Sequence, residues 1–367
     1  MKHKNQGRRS AKRRVITIAA LTAIIVLLVF ISNYPAFIER FYSRGFYVAV
    51  CYLMHALLNF LPFSLGDLVY IAVVGYLLYA IVNQLRLLLK RRWQDAVTFL
   101  LSNVIGVQVT IVLFYLLWGL NYFRPPAAER LRLTDSTYTA ADLIKLTNIL
   151  IDSANSTRAR LQPADLAASN NTIYHQARQA IQALSQSNRD FRTYLPAIKP
   201  SLLTGVINYM GTSGYYNPFT AEAQLNYQMP VFLRPFVACH EMSHQMGFGA
   251  EDEANFAGFV AATASNDKLL HYSAYYVGVQ EFMHAVRRQD SLVYKQLKKR
   301  ISKPVMSDFK ADRAYWLSYA NQIGAISSIF YDNFLKANNQ PQGLETYNQM
   351  IRLVVAMYKK NGHVSLR

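Results

Sequence analysis

Three long apolar runs occupy the first third of the chain, at residues 15–32, 68–85 and 97–117. Each is close to the roughly 20 apolar residues that a helix needs to cross the hydrocarbon core of a bilayer. The pattern therefore predicts a transmembrane region of three helices over residues 15–120. From residue 121 to residue 367, polar and apolar residues are mixed along the chain as in an ordinary soluble domain.

Basic residues mark the ends of these runs and indicate their orientation. They concentrate in residues 1–14, before the first run, and in residues 86–92, after the second. Positive residues favour the cytoplasmic side, so the N-terminus is predicted there and three spans would place residues 121–367 outside. A cleaved signal peptide is the competing interpretation of the first run, but the run is long for one and no small-residue cleavage site follows it.

The segment 46–63 is apolar but short, and it contains His55 and Asn59. If it crossed the membrane, the basic cluster at 86–92 would lie outside, against the charge rule. We expect a re-entrant or surface-lying amphipathic segment here, and the sequence leaves open whether it crosses.

The rest of the chain is predicted to be mainly helical. Apolar residues recur at spacings of three and four in four segments, which are residues 141–153, 172–185, 305–337 and 343–358. The third of these contains Gly324, where a break is expected. Residues 205–229 are instead rich in Tyr, Thr, Gly and Asn, which favours a small β-element. The predicted fold class is thus mainly α: three transmembrane helices followed by a mostly helical domain, 121–367, with a small β-element.

The sequence His-Glu-Met-Ser-His at 240–244 carries the strongest chemical signal. On a helix expected between Pro235 and Gly247, His240 and His244 share one face and can bind the same metal ion. Glu241 then lies beside the ion, where it can accept a proton from a metal-activated water. A single buried histidine is usually satisfied by ordinary hydrogen bonds, but this pair with its glutamate favours Zn²⁺.

A catalytic zinc site needs a third protein ligand, and three acidic residues follow the signature. On a second helix starting near Glu251, Glu253 would share an apolar face with Phe256 and Val260. An ionised carboxylate there is costly unless it is paired or bound to metal, so Glu253 is the predicted ligand. Glu251, in the first turn and expected to be exposed, is the alternative. Small residues such as Gly258 would let the two helices approach closely.

With these residues the chain resembles gluzincin metallopeptidases, in which a glutamate on the following helix is the third ligand. The metzincin pattern would need a histidine at Ala250. Over the stretches 118–122, 214–220 and 240–256, and nearly end to end, the chain also resembles an uncharacterised bacterial membrane-protein family catalogued as domain of unknown function 3810. That resemblance implies a multi-pass protein of the bacterial cytoplasmic (inner) membrane and gives no substrate.

The predicted activity is peptide-bond hydrolysis by a membrane-anchored zinc metallopeptidase, with Glu241 as general base and an extracytoplasmic catalytic domain. Its expected substrates are peptides or membrane and envelope proteins. A transition-state or substrate contact is also needed. Four residues are candidates for that contact, and each is as well explained by packing: Tyr215, Tyr216, His271 and Tyr272.

The same features of the sequence bear on two other classes of function: nucleic-acid binding and a non-catalytic membrane role. The formal charge of +18 suggests nucleic acid, but residues 1–120 carry 13 Lys and Arg against 3 Asp and Glu, so much of the excess lies beside the spans. No nucleic-acid partner is therefore predicted. The alternative to an enzyme is a non-catalytic membrane scaffold or sensor with a structural or vestigial zinc site. Because metal binding does not need Glu241, its presence favours catalysis.

Overall fold

A computed structural model describes residues 2–133, 137–344 and 349–364, with the backbone alone for residues 2–10. The described chain is mainly helical with one small sheet, as the sequence predicts. Parts of the predicted domain 121–367 and of the predicted helix 343–358 lie outside the described residues, as do most side chains of the basic segment 1–14.

Three helices correspond to the predicted spans: α1 (Lys2–Ser32), α4 (Leu65–Leu89) and α5 (Trp93–Leu117). Among the described residues these are the helices long and apolar enough to cross a membrane, the first of them over Ala11–Ser32. Few of their residues are buried within the chain. The predicted runs are confirmed as span-like helices, and they indicate a membrane-spanning protein.

The segment between the first two spans folds back onto the rest of the chain. It comprises a short α2 (Pro35–Phe37), a π-helix (Ile38–Phe46) and α3 (Tyr47–Leu58). The 12 residues of α3 continue directly from the π-helix, whose Glu39, Arg40 and Arg44 make this stretch too polar for a typical span. The buried face of α3, spaced by one turn, is formed by Tyr47, Cys51 and His55.

The second half of the chain is built mainly from helices. They are α6 (Ala127–Arg130), α7 (Ala140–Ala159), α8 (Asn170–Ser187), α12 (Lys268–Gln289), α13 (Ser291–Arg300), α14 (Lys303–Ser318), α15 (Gln322–Ala337) and α16 (Met350–Asn361). The predicted helix 305–337 is two helices. The break precedes Gly324, because the Asn321 side chain caps α15 by accepting hydrogen bonds from Ile323 N and Gly324 N.

The predicted β-element is present as part of a three-stranded sheet. In strand order β1-β3-β2, β3 (Glu222–Leu225) pairs parallel with β1 (Ile198–Pro200) and antiparallel with β2 (Gly214–Asn217). The short helix α9 (Thr204–Tyr209) connects β1 to β2. Neither β1 nor α9 was predicted.

A buried ion pair connects this sheet to the second span. Lys199 Nζ lies 2.6 Å from Glu222 Oε1, and the same carboxylate accepts a hydrogen bond from Gly66 N at 2.7 Å. A carboxylate at the first turn of a helix is favourable because it meets free N–H groups there. The N-terminal end of α4 is therefore fixed against the sheet.

The two helices that carry the acidic and histidine residues cross in the centre of the core. They are α10 (Arg234–His244) and α11 (Glu251–Ala264), close to their predicted bounds. A Cβ on Gly258 would lie 2.9 Å from His240 N, so only glycine permits this approach. The expected role of Gly258 is confirmed.

Candidate metal site

His240 and His244 lie on one face of α10, as their spacing predicts. Pro235 occupies the first turn of the helix, and Gly247, with φ of 78°, turns the chain after its end. The two ring centroids are 5.0 Å apart, and both side chains are buried. The rings therefore present two nitrogens to the same small volume.

The third member of the cluster is Glu251, at the start of α11. Its Oε2 lies 3.3 Å from His240 Nε2 and 3.7 Å from His244 Nε2. One ligand atom from each of the three residues lies within 4.8 Å of the others, which is the spacing of donors around one metal ion. Two imidazoles and a carboxylate are the donor set of many zinc hydrolases.

The prediction that the Glu253 carboxylate lies beside the two histidines is wrong. Its carboxylate accepts hydrogen bonds from Ala127 N at 2.5 Å and from Arg130 Nη2 at 2.8 Å. The argument that a carboxylate on this apolar face must be paired or metal-bound was sound, but the partner is an arginine. The alternative, Glu251, occupies the metal-facing position.

Helix geometry explains why only one of the two acids can face the histidines. Successive residues are about 100° apart around a helix, so Glu251 and Glu253 point in nearly opposite directions. The expectation that Glu251 would be exposed fails because the first turn of α11 is covered: Gln340 Oε1 accepts a hydrogen bond from Glu251 N at 3.1 Å. Asn255, one turn further on, hydrogen-bonds with the His240 side chain.

Further contacts orient the three side chains. His244 Nδ1 donates to Phe248 O at 2.7 Å, which leaves its Nε2 directed into the cluster. The Tyr331 hydroxyl, on α15, donates to Glu251 Oε1 at 2.7 Å and leaves Oε2 for the histidines. The sequence gives no sign of Tyr331, which is one of 25 tyrosines and 80 residues away from its partner.

Glu241 lies beside the cluster but outside it. Its carboxylate is buried against the start of β2, where a Cβ on Gly214 would lie 2.6 Å from Glu241 Oε1. Burial raises the pKa of Glu241 to about 8, partly opposed by the nearby His240. A buried acid with a pKa near neutrality is suited to exchanging protons.

The charges of the cluster are strongly coupled. Burial alone would raise the pKa of Glu251, yet His244, His240 and Tyr331 lower it to about 2. Burial opposes protonation of His240 as well, but its hydrogen bond to Glu251 and the charges of Glu241 and Glu251 raise its pKa above the usual value. Burial lowers the pKa of His244 to about 4. The raised pKa favours a proton on His240 in the metal-free protein, and this proton offsets the negative charge of Glu251.

The side chains fit a divalent cation. Glu251 Oε2 is buried against the two imidazole nitrogens, at 3.3 and 3.7 Å, whereas Glu241 Oε2 is buried with no hydrogen-bond partner among the described residues. Leaving such an acceptor unpaired costs about 1–3 kcal/mol, and more when it is charged. A zinc ion between Glu251 and the two histidines would bind Glu251 Oε2 directly.

One family matches the chain: the model described as Protein of unknown function (DUF3810) covers residues 42–355. The chain belongs to this family. The match includes α4, α5 and every residue of the cluster, but not α1, so it is narrower than the expected end-to-end resemblance. No curated protein and no solved structure matches the chain.

The four predicted contact residues separate into two pairs. The Tyr216 ring, on β2, lies 6.1 Å from the His244 ring at an angle of 43°, and the Tyr216 hydroxyl lies 3.3 Å from that of Tyr47. The neighbouring Tyr215 hydroxyl donates to Asp67 Oδ1 at 2.5 Å. Successive side chains of a strand face opposite sides, so Tyr216 lies beside the site whereas Tyr215 lies on the other face of β2.

The other pair lies elsewhere. The Tyr272 hydroxyl bonds the Asp308 carboxylate, and its ring packs near Phe232. His271 lines a surface cavity together with Arg160 and Lys268. These contacts of Tyr272 involve no residue of the metal cluster.

The C-terminal end of α10 is capped by residues that flank the spans. Tyr47 OH and Trp118 Nε1 donate to His244 O, at 3.2 and 3.3 Å. Arg124 Nη1 donates to Met246 O at 3.2 Å and to Gly247 O at 2.9 Å. Because the last carbonyls of a helix have no partners within it, these donors fix where the histidines lie.

Proposed function

We propose that the protein is a membrane-anchored zinc metallopeptidase that hydrolyses peptide bonds. The observation that carries the proposal is the convergence of His240, His244 and Glu251 on one buried volume, with Glu241 held beside it. This donor set, two histidines of one helix and a glutamate of the next, is of the gluzincin type. The family name supplies no activity, so the proposal depends on the site alone.

Zinc at this position would supply Lewis acidity, polarising a carbonyl group and lowering the pKa of a water molecule. Glu241 would accept the proton that this water loses and pass it to the leaving amine. Its burial and its contact with Gly214 hold the carboxylate in one place, which reduces the reorganisation that proton transfer requires.

The edge strand β2 supports a peptide as substrate. In its antiparallel pairing with β3, Ser213 O accepts from Asn226 N, and pairing then alternates along the strands. Gly214 and Tyr216 fall at positions whose backbone N–H and C=O groups point away from β3. An extended peptide could pair with these groups and pass next to Glu241.

The test is zinc content and peptide hydrolysis of the full-length protein in detergent or bilayer discs. We expect about one zinc per chain, and Glu241→Gln should keep the zinc while losing roughly 10²–10⁴-fold in turnover. Glu281→Gln is the matched control, because Glu281 is another carboxylate whose pKa burial raises, to about 7, and it lies on α12. It should keep full activity.

A wild-type protein that binds zinc but cleaves no fluorogenic or unfolded protein substrate would contradict the proposal. The non-catalytic scaffold or sensor with a structural zinc site would then be favoured. Equal turnover in wild type and Glu241→Gln would reject Glu241 as the general base.

The proposed location is the bacterial inner membrane, with the catalytic domain on the extracytoplasmic side. Three spans and a basic N-terminus support it. A reporter enzyme that is active only outside the cytoplasm, fused to the C-terminus, should be active in whole cells. Activity of a cytoplasmic reporter at the same position would contradict the three-span topology.

A further inference from the structure

Outside the spans, large apolar side chains are exposed mainly in two places. The first is the segment around α3, next to the spans in sequence. The second belongs to helices far away in sequence and is called here the α9–α15 face. Its members are Val206, Tyr209, Met210, Ile323, Ile326, Ile329 and Phe330. Ile326 is 67% exposed and Phe330 is 74% exposed, so most of their surface is uncovered by the described residues.

Charge is absent from the segments that form this face. No Asp, Glu, Lys or Arg occurs between Lys199 and Glu222, or between Arg313 and Asp332, in a chain with net charge +18. Water-exposed helices normally carry charged residues opposite their buried stripe. A contiguous apolar patch without charge is typical of a surface that contacts another apolar phase.

The rest of the domain has a different surface. From residue 121 onward, the described residues outside the face expose few large apolar side chains, among them Leu292 on α13. Leu292 is 68% exposed but stands alone, with Lys295, Lys298 and Lys299 following on the same helix. Single exposed apolar residues of this kind are normal on soluble proteins.

The α9–α15 face adjoins the ends of two spans. Leu202 N, just before α9, donates to Asp67 Oδ2 of α4 at 2.7 Å. The Phe334 ring of α15 lies 5.9 Å from that of Phe114 near the end of α5. Asn321 Nδ2 donates to Tyr209 O at 2.9 Å, which joins the two parts of the face. The apolar surface of the spans therefore continues onto α9 and α15.

We propose that the α9–α15 face is inserted into the bilayer, where lipid acyl chains cover it. The same helix α15 carries Tyr331, whose hydroxyl bonds Glu251, so one side of this helix would contact lipid and the other would form a wall of the metal site. The site then opens at the boundary between lipid and water. Where the proposed peptidase activity also holds, its substrates would be polypeptides that are themselves inserted in or attached to the membrane.

Single-cysteine labelling of the full-length protein in lipid discs tests the insertion without any measurement of hydrolysis. The two native cysteines, Cys51 and Cys239, are buried, so exposed sites can be labelled selectively. Ile326→Cys and Val206→Cys report on the face, and Leu292→Cys is the matched control. Each variant carries an environment-sensitive fluorophore, quenched either by nitroxides on the lipid acyl chains or by a water-soluble nickel complex.

We expect lipid nitroxides to quench the labels at 206 and 326 several-fold more strongly than the label at 292. The nickel complex should give the opposite order. Equal quenching of all three labels by the nickel complex would overturn the proposal. Protection of 206 and 326 from both quenchers would also overturn it, since a protein surface, such as a second copy of the chain, would then cover the face.

Discussion

Two clusters of carboxylates, the first partly buried and the second fully buried, differ in how completely their oxygens are paired. In the first, Glu253 is bonded by Arg130 and Ala127 N, and Glu39 is bonded by Arg124 and Arg44, so every carboxylate oxygen has a partner. In the second, Glu241 buries an oxygen that has no hydrogen-bond partner in the described chain, and Glu251 Oε2 contacts the imidazole nitrogens of the two histidines.

The difference separates structural charges from functional ones. A buried charge with a complete set of partners is explained by the fold. A buried charge with a missing partner costs free energy that packing does not return, and such groups concentrate at sites that bind or react. Glu281 and Asp312 also bury an oxygen without a partner, but among the described residues it is the histidine side of α11 that adds two imidazoles and a second carboxylate, which makes it the candidate site.

The largest expected effect separates Glu251 from Glu253. Glu251→Ala should remove a direct ligand and weaken zinc binding by more than the roughly 10–100-fold typical of losing a residue that only orients a ligand. Zinc content by mass spectrometry and competition with a chelator measure this.

The matched variant is Glu253→Gln, which should leave zinc per folded molecule unchanged. It leaves Arg130 buried without its charge partner, so the free energy of unfolding should fall by about 3 kcal/mol. If Glu253→Gln releases the zinc and Glu251→Ala retains it, the assignment of Glu251 as the ligand is wrong. Glu253 would then be the ligand, as the sequence predicted.

A smaller effect is expected at Tyr331. Tyr331→Phe removes the hydroxyl that orients Glu251 and should weaken zinc affinity about 10–100-fold with little loss of stability. Tyr319→Phe, at the end of α14 and in ring contact with Tyr209, is the control and should bind zinc like wild type. Indistinguishable affinities would show that α15 does not support the metal site.

The smallest effect is the pH dependence of zinc binding. The pKa of His240 is raised in the metal-free protein, so its proton stabilises the fold at low pH and this contribution is lost as pH rises through that pKa. Zinc must displace the proton, and affinity should therefore rise about tenfold per pH unit below the pKa and level off above it. Calorimetric titration over that range measures this, and a flat profile would exclude a proton on His240.

The sequence predicted features that depend on local pattern. The spans follow from apolar length, and the bounds of α10 and α11 follow from Pro235, Gly247 and the acidic first turn. Helical periodicity likewise placed His240 and His244 on one face. These predictions need no knowledge of how distant segments pack.

What the sequence did not predict depends on contacts between distant segments. Whether Glu251 or Glu253 faces the histidines is decided by Arg130 and Gln340, one before and one after the signature. The contact of α3 with the end of α10 through Tyr47 could not be predicted either, since an apolar run does not show which of its faces will be buried. The rule that a buried carboxylate must be paired or bound to metal was correct. Without knowledge of the tertiary contacts, it selected Glu253 instead of Glu251.

The capping of α10 by Tyr47 and Trp118 ties the histidine helix to segments next to the spans. His244 O accepts from both of these side chains as well as from Gly247 N, so removing residues 1–120 would take away two of its three donors. A domain released from these segments should therefore hold His244 less firmly, and its zinc affinity should fall.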